Sequence, residues 1–322
     1  HINLMTNLIS NFKKLLLSLA TDVGLRRESL KLNTRIREHL LDQNIVMCRE
    51  PGTTTDRHLP DCEVIVSLTT FGPRLRDAAR SIEGHVRGEG IMEQTLLPNR
   101  IILWLGRELE TTPQLIPASL RRLQRRGLEI RFTDDCGPAT KLLPALEAFP
   151  DDVIITVDDD MLYDIDMIDR LVTAHRRFPK AVCAGRIDRI IADGDRLRLV
   201  YDQADDLYLT EEPLMQPMAM GVGGVLYPPR CMHPDVSDRQ LMSRLAPKAD
   251  DLWFKVMEVL AGTPVYPVNE TNPSDDRLLM SFHYRQSLAL HTYNVIAGQD
   301  NVQLAALVKH YPHIVNSLQL KK

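Results

Sequence analysis

Between Cys62 and Asp160 the chain alternates apolar runs with helical stretches, and no other feature of its 322 residues restricts the fold as much. Glu63–Thr69, Arg100–Leu105, Leu128–Phe132 and Val153–Val157 read as strands. Stretches near 75–86, 117–126 and 141–149 read as helices. Strands this apolar are buried on both faces, and strands that alternate with helices pair in parallel. The predicted class is therefore α/β: a Rossmann-type, mostly parallel sheet flanked by helices.

After Asp160 the rhythm loosens. Ile165–Phe178 reads as a helix. Val182–Ile191 and Arg196–Tyr201 read as strands around the turn Asp193-Gly194-Asp195. Met220–Tyr227 is a glycine-rich strand or loop, Asp250–Leu260 a helix opened by two acids, and Ser287–His310 a mostly helical tail. Ahead of the α/β unit, 7–20 and 25–41 show helical spacing, the first through Leu8, Phe12, Leu15, Leu16 and Leu19, the second through Leu32, Ile36 and Leu40. The first helix packs on its own domain or a partner chain, or else lies on a membrane surface. A loop at Pro51–Thr55 separates this extension (1–50) from the α/β unit.

Composition removes several classes. With 44% hydrophobic and 25% charged residues the chain is ordinarily globular. A net charge of −4 argues against nucleic-acid binding through bulk electrostatics. No apolar run is long enough to span a bilayer. The five cysteines are scattered and form no CxxC, which points to reduced thiols in a reducing, cytoplasmic setting.

The sharpest chemical feature is Asp158-Asp159-Asp160, which directly follows the fourth strand. Ligands of open α/β sheets bind at the carboxyl ends of the strands. Three adjacent carboxylates repel one another and call for a counter-cation or full solvation. Hard divalent ions favour such oxygen ligands. The alternative is a solvated turn that caps the helix near Asp164. Asp250-Asp251 opens another helix, where N-capping and a favourable helix dipole are the bland explanation.

This arrangement resembles GT-A glycosyltransferases, with Asp158-x-Asp160 as the DXD motif. Val64-Ile-Val-Ser-Leu-Thr-Thr-Phe-Gly-Pro-Arg74 resembles the opening strand and loop of bacterial family 2-like sugar transferases. Thr133–Pro144 followed by Ile154–Asp160 is similar to capsule and lipopolysaccharide transferases. The resemblance covers about 62–285. It implies a nucleotide-sugar-binding half (62–160) and an acceptor-binding half with a helical tail (161–322).

The resemblance further implies a metal-dependent, inverting transfer from a nucleotide-sugar, UDP-linked, to a glycan or lipid-linked acceptor in surface-polysaccharide synthesis. It gives Asp158 to the nucleotide and Asp160 to Mn2+ or Mg2+, with Asp159 beside them. It gives Thr69, Thr70 and Arg74 to the base and ribose, with Arg74 alternatively a surface charge. Asp134 or Asp135 would accept from the base or, alternatively, cap the helix at Thr140. Lys141 would reach the diphosphate or, alternatively, stay solvated. Gly223 and Gly224 would let backbone approach a sugar. Asp251 would be the general base, Asp250 an acceptor or sugar contact, and His283 a further metal ligand or, alternatively, a structural histidine. Trp253 would stack on a sugar, against a default of core packing. The setting expected is cytoplasmic, at the inner face of a membrane if 7–20 lies on that surface, with the amino-terminal helices, which the resemblance does not cover, available for self-assembly.

Two competing readings remain. A nucleotidyltransferase of related fold would carry a glycine-rich basic loop after its first strand, and Thr69–Arg74 is poor in glycine. A carbohydrate-binding or scaffold protein on a transferase fold would lack turnover.

Overall fold

The computed structural model describes residues 35–36, 38–84, 90–194, 196–201, 204–269 and 298–319. The 7–20 stretch, most of 25–41, and His283 lie outside these residues.

Two sheets form. The larger holds seven strands: β1 (Val64–Thr69), β2 (Arg100–Gly106), β3 (Leu128–Thr133), β4 (Val153–Thr156), β5 (Val182–Ala184), β9 (Val225–Tyr227) and β10 (Val265–Pro267). They lie in the order β10-β5-β9-β4-β1-β2-β3. Four pairings are parallel, β1 with β2, β1 with β4, β2 with β3, and β10 with β5. The short β9 runs antiparallel between β4 and β5. The smaller sheet is β7 (Arg196–Val200), β6 (Ile187–Asp193) and β8 (Pro217–Ala219), all antiparallel. The α/β class with a mostly parallel, helix-flanked sheet is thus what the chain adopts.

Period-two alternation along the strands divides the core. Val64, Val66, Leu68, Ile101, Leu103, Val153 and Ile155 point to one face. Ile65, Ile102, Trp104 and Ile154 point to the other. The first face is covered by α2 (Ala78–Glu83), α3 (Ala118–Leu123) and α5 (Met167–Arg177). The second is covered by α4 (Leu143–Ala148), α7 (Asp250–Ala261), α8 (Gln299–His310) and α9 (Ile314–Leu318). The run of apolar residues through the middle of β1, β2 and β4 follows directly from this two-sided burial. α6 (Arg239–Leu245) is capped by Asp238, which accepts from Leu241 N at 2.8 Å. α7 ends at Gly262 in the left-handed conformation.

The structure departs from the sequence-based expectations locally. The strand expected over 182–191 breaks at Gly185, where a Cβ would come within 2.3 Å of Gly223 O. The two resulting strands, β5 and β6, enter different sheets. β8 and β10 are three residues each, too short to show a period. The amino-terminal helix α1 (38–47) buries Leu41 and Ile45, while Ile36 and Leu40 are exposed. Arg80 of α2 ties α1 down through both oxygens of Asp42, at 2.8 and 2.7 Å. No helix among the described residues is long and apolar enough to cross a membrane.

The sheet order 3-2-1-4 has one consequence for function. From β1 the chain first winds toward β2 and β3, then returns to place β4 on β1's other side. The carboxyl ends of β1 and β4 therefore flank a topological switch point, the crevice where such sheets bind ligands.

Ser67, fully buried in β1, connects this frame to that crevice. Its hydroxyl donates to Lys141 O at 2.5 Å and accepts from Trp104 Nε1 at 2.9 Å. Ser67→Ala strands a buried indole N–H and a carbonyl. Urea unfolding should show a loss of about 1–3 kcal/mol; a loss within error of zero would mean that the two groups find other partners.

Candidate active site

Thr69 ends β1 and Thr70 follows it, while Asp158–Asp160 leave β4 beside them. Thr69 Oγ1 donates to Trp104 O at 3.0 Å, pinning the loop to β2. Thr70 Oγ1 donates to Asp159 Oδ2 at 2.5 Å across the switch point. Asp159 is 5% exposed, whereas the Asp158 and Asp160 side chains are 27% and 25% exposed. The triplet thus alternates: its middle member turns inward to hold the β1 loop and the outer two reach the crevice. Its backbone is fixed from below. Tyr163 Oη accepts from Asp158 N at 2.8 Å, and Ser81 Oγ donates to Asp158 O at 3.1 Å and Met161 O at 2.5 Å.

Lys141 joins this edge to α7. Its buried ammonium donates to Asp158 Oδ1 at 2.9 Å and lies 3.5 Å from Asp250 Oδ2. Asp251 caps the backbone opposite, accepting from Gly221 N at 3.2 and 3.3 Å through its two oxygens. A Cβ on Gly221 would sit 2.4 Å from Lys141 Nζ and 3.2 Å from Asp251 Oδ1. Only glycine lets ammonium and carboxylate close over that backbone. Neither Asp250 nor Asp251 is the N-cap of α7, which is Ala249, so simple capping does not account for the pair. Asp250 Oδ2 is buried with no hydrogen-bond partner.

At the mouth, Arg74 Nη2 pairs with Asp159 Oδ1 at 2.8 Å and also with Asp160 Oδ2. Phe71, 52% exposed, lies under the guanidinium at 5.8 Å. Among the described residues, five carboxylates of this cluster thus share Lys141 and Arg74, and the imbalance shows in their protonation. Burial, then Asp250 and Asp158, push Asp251 up to about 8 against the pull of Lys141 and Gly221 N–H. Burial and the flanking Asp160 and Asp158 push Asp159 to about 7 against Arg74 and Thr70. Burial opposes the charge on Lys141, but Asp158, Asp250 and Asp251 outweigh it and hold the ammonium well above the usual lysine range.

These residues fit a divalent cation. The carboxylates outnumber the cations, two of them are partly exposed at the mouth, and all offer the hard oxygen donors that Mg2+ and Mn2+ take. Asp158, Asp159 and Asp160 do not close on one point as a three-ligand cage. Among the described residues Cys48, Glu83 and Glu93 do so, but Arg126 already neutralises both of those acids. An ion at the crevice would be held by one or two carboxylates, with substrate phosphates completing its shell.

The other expected residues lie apart from this cluster. Gly223 and Gly224 face protein: a Cβ on Gly223 would meet Arg186 N at 2.3 Å, and one on Gly224 would meet Met167 Sδ at 3.0 Å. The glycine at the site is Gly221. Trp253 is fully buried, with its indole N–H donating to Val236 O at 3.2 Å, so it offers no face to a sugar. Its position in the first turn of α7, two residues past Asp251, turns it into the core. Asp135 shapes a turn, accepting from Gly137 N at 2.7 Å and Thr140 Oγ1 at 3.3 Å. Asp134 pairs at the surface with Arg107 at 3.0 Å. Ser81, Tyr163, Gly221 and Phe71 belong to the site without having been expected there. Only Gly221 and Phe71 lay inside motifs already singled out.

The raised carboxyls make the metal-free fold pH-sensitive. Asp251 carries a folded value near 8 against an ordinary 3.8, so the native state binds the extra proton between them. Stability from this group therefore falls as pH rises from about 4 to about 8. Metal-free protein should melt at a higher temperature at pH 5.5 than at pH 8. Asp251→Asn should flatten that difference and gain at least about 1 kcal/mol at pH 8, one pKa unit's worth. An unchanged pH profile in this variant would show that Asp251 titrates normally.

No family model matches the chain, and no curated protein matches it. Solved structures do match. One is the mannosyltransferase PcManGT from Pyrobaculum calidifontis in complex with GDP-Man and Mn2+. It is 14% identical over 90% of this chain and 83% of that chain, with a TM-score of 0.41. At that distance no residue role carries over from it.

Proposed function

We propose that the protein is a metal-dependent glycosyltransferase that moves a sugar from a nucleotide-sugar, UDP-linked on our reading, to a glycan or lipid-linked acceptor with inversion. The observation that carries this reading is the ammonium of Lys141 between Asp158 at the end of β4 and Asp250 at the start of α7. One cation thereby ties a charge-binding edge to the residue beside the candidate base Asp251, in one crevice at the switch point.

In this reading Asp160 would hold Mn2+ or Mg2+. When bound, such an ion neutralises charge on the diphosphate as it leaves. His283 lies outside the described residues and stays a candidate further ligand. The β1 loop receives the base and ribose: Thr69 and Thr70 fix its backbone, and Phe71 offers an exposed ring. Asp158 faces the ribose. Lys141 is held rigid by its carboxylates and supplies a fixed positive charge to the diphosphate, with no reorganisation needed during reaction.

Asp251 takes the acceptor hydroxyl's proton as that oxygen attacks the anomeric carbon. The bond from that carbon to the diphosphate breaks, and its electron pair leaves with the phosphate. A base is most effective when its pKa lies near working pH, and burial beside Asp250 brings Asp251 there. Asp250, with an unsatisfied buried oxygen, is placed to accept from a sugar hydroxyl.

A thermal-shift panel of UDP, GDP, CMP and dTDP, each with and without Mn2+, tests the reading. A ligand that binds only the folded state raises apparent stability by about RT ln(1 + [L]/Kd). One nucleotide should stabilise the protein only with metal, and Asp160→Ala should abolish both that shift and turnover. Asp251→Asn should keep the shift while transfer falls by about 10²–10⁴-fold. Absence of any metal-dependent shift in wild-type protein rejects the assignment.

A further inference from the structure

Arg74 makes an unusual pairing. Guanidinium groups normally meet an oxyanion with two parallel N–H bonds. Here one nitrogen, Nη2, serves both Asp159 and Asp160, while the buried Nε has no hydrogen-bond partner. The side chain is 23% exposed, at the same mouth as Asp158 and Asp160. It sits on the short helical turn Gly72–Arg76, one turn beyond the end of β1. Its fork is therefore only half used, on the carboxylate that the proposed function assigns to the metal.

The geometry points to Arg74 as an exchangeable counter-cation that holds Asp160 until a nucleoside diphosphate draws it away, so that metal and nucleotide bind cooperatively. This rests on the reading of Asp160 under Proposed function. The guanidinium and a divalent ion compete for the same Asp160 carboxylate, because each cation weakens the hold of the other. Metal binding alone must displace Arg74 from Asp160 and leave it with Asp159 as its one remaining carboxylate partner of the two. A diphosphate offers the two-oxygen edge that Nε and Nη2 can grip together, so the nucleotide releases Asp160 as it binds. Asp159 keeps Thr70 throughout, which holds the β1 loop in place while the guanidinium moves. Linkage makes the effect mutual: the factor by which nucleotide tightens metal equals that by which metal tightens nucleotide.

The test is Mn2+ affinity, read by electron paramagnetic resonance of the free ion, in wild type, Arg74→Gln, Arg74→Lys and Asp160→Ala. Each is titrated alone and with UDP or GDP. Arg74→Gln should bind Mn2+ alone about 10-fold more tightly than wild type, the size of a modest allosteric coupling. Its gain from nucleotide should be smaller by a similar factor. Arg74→Lys keeps the charge but not the fork, so its Mn2+ affinity alone should stay near wild type while the nucleotide effect shrinks. Equal or weaker Mn2+ binding in Arg74→Gln overturns the role of Arg74. So does an undiminished nucleotide effect in Arg74→Lys, the deciding variant if the Gln protein does not fold. If wild type binds Mn2+ no better than Asp160→Ala, the metal site itself has failed and Arg74's role falls with it. Tight wild-type binding with no change in Arg74→Gln removes Arg74 alone.

Discussion

The contact of the Lys141 ammonium with Asp158 and Asp250 is the interaction on which the rest of the site depends. It joins the β4 end to the α7 start. A buried lysine keeps its charge only with partners of opposite sign, and here those partners are the carboxylates that chemistry at this edge would use. The surrounding backbone is shaped to admit it. Gly221 removes the side chain that would collide with Nζ, and Ser67 anchors the carbonyl of Lys141 itself to β1. The sheet core, the loop at 136–141 and the glycine-rich segment thus converge on one nitrogen.

That arrangement is not the most stable one available to the chain. Burial holds Asp251 and Asp159 far above ordinary carboxylate values, and Asp250 keeps an oxygen without a hydrogen bond. Each of these destabilises the fold at neutral pH. Concentrating them at one sheet edge is characteristic of sites maintained for reactivity. The buried pair Lys255 and Glu258, on the same helix, is a useful contrast. Burial lowers the lysine and raises the glutamate to about 7, but the two lie 3.4 Å apart and, among the described residues, are buried against each other rather than at the crevice mouth.

The fold was legible where two-sided burial writes itself into sequence. A strand such as Val64–Leu68 must be apolar at nearly every position, and the helices between such strands must cover both faces. Elements of three residues, β8 and β10, carry no period, and their pairing is set by neighbours far along the chain. The site was legible only as a list of carboxylates near the right strand ends. That Lys141 would serve Asp158 and Asp250 together, or that Gly221 rather than Gly223 would face them, depends on a close packing of distant segments that no local pattern encodes. Trp253 illustrates the opposite error: a large aromatic beside two acids suggests a sugar platform, but two positions along a helix from Asp251 turns a side chain to a different face.

The spacing of Asp158 and Asp160 has its own physical reason. Exposure along 157–160 alternates, buried at Val157 and Asp159 and open at the two outer aspartates, as if the strand's period ran on past its last hydrogen bond. An edge that must offer two carboxylates to one crevice can do so only at every second residue. The residue between then faces the protein, where an ordinary side chain would suffice. An aspartate there does something further, because it accepts from Thr70 and so fixes the β1 loop against the β4 end. It also shares Arg74 with Asp160, which places the guanidinium at the mouth rather than in solvent. The middle acid of the triplet therefore sets where the outer two point and what neutralises them, which two carboxylates at this spacing, with an apolar residue between, would not achieve.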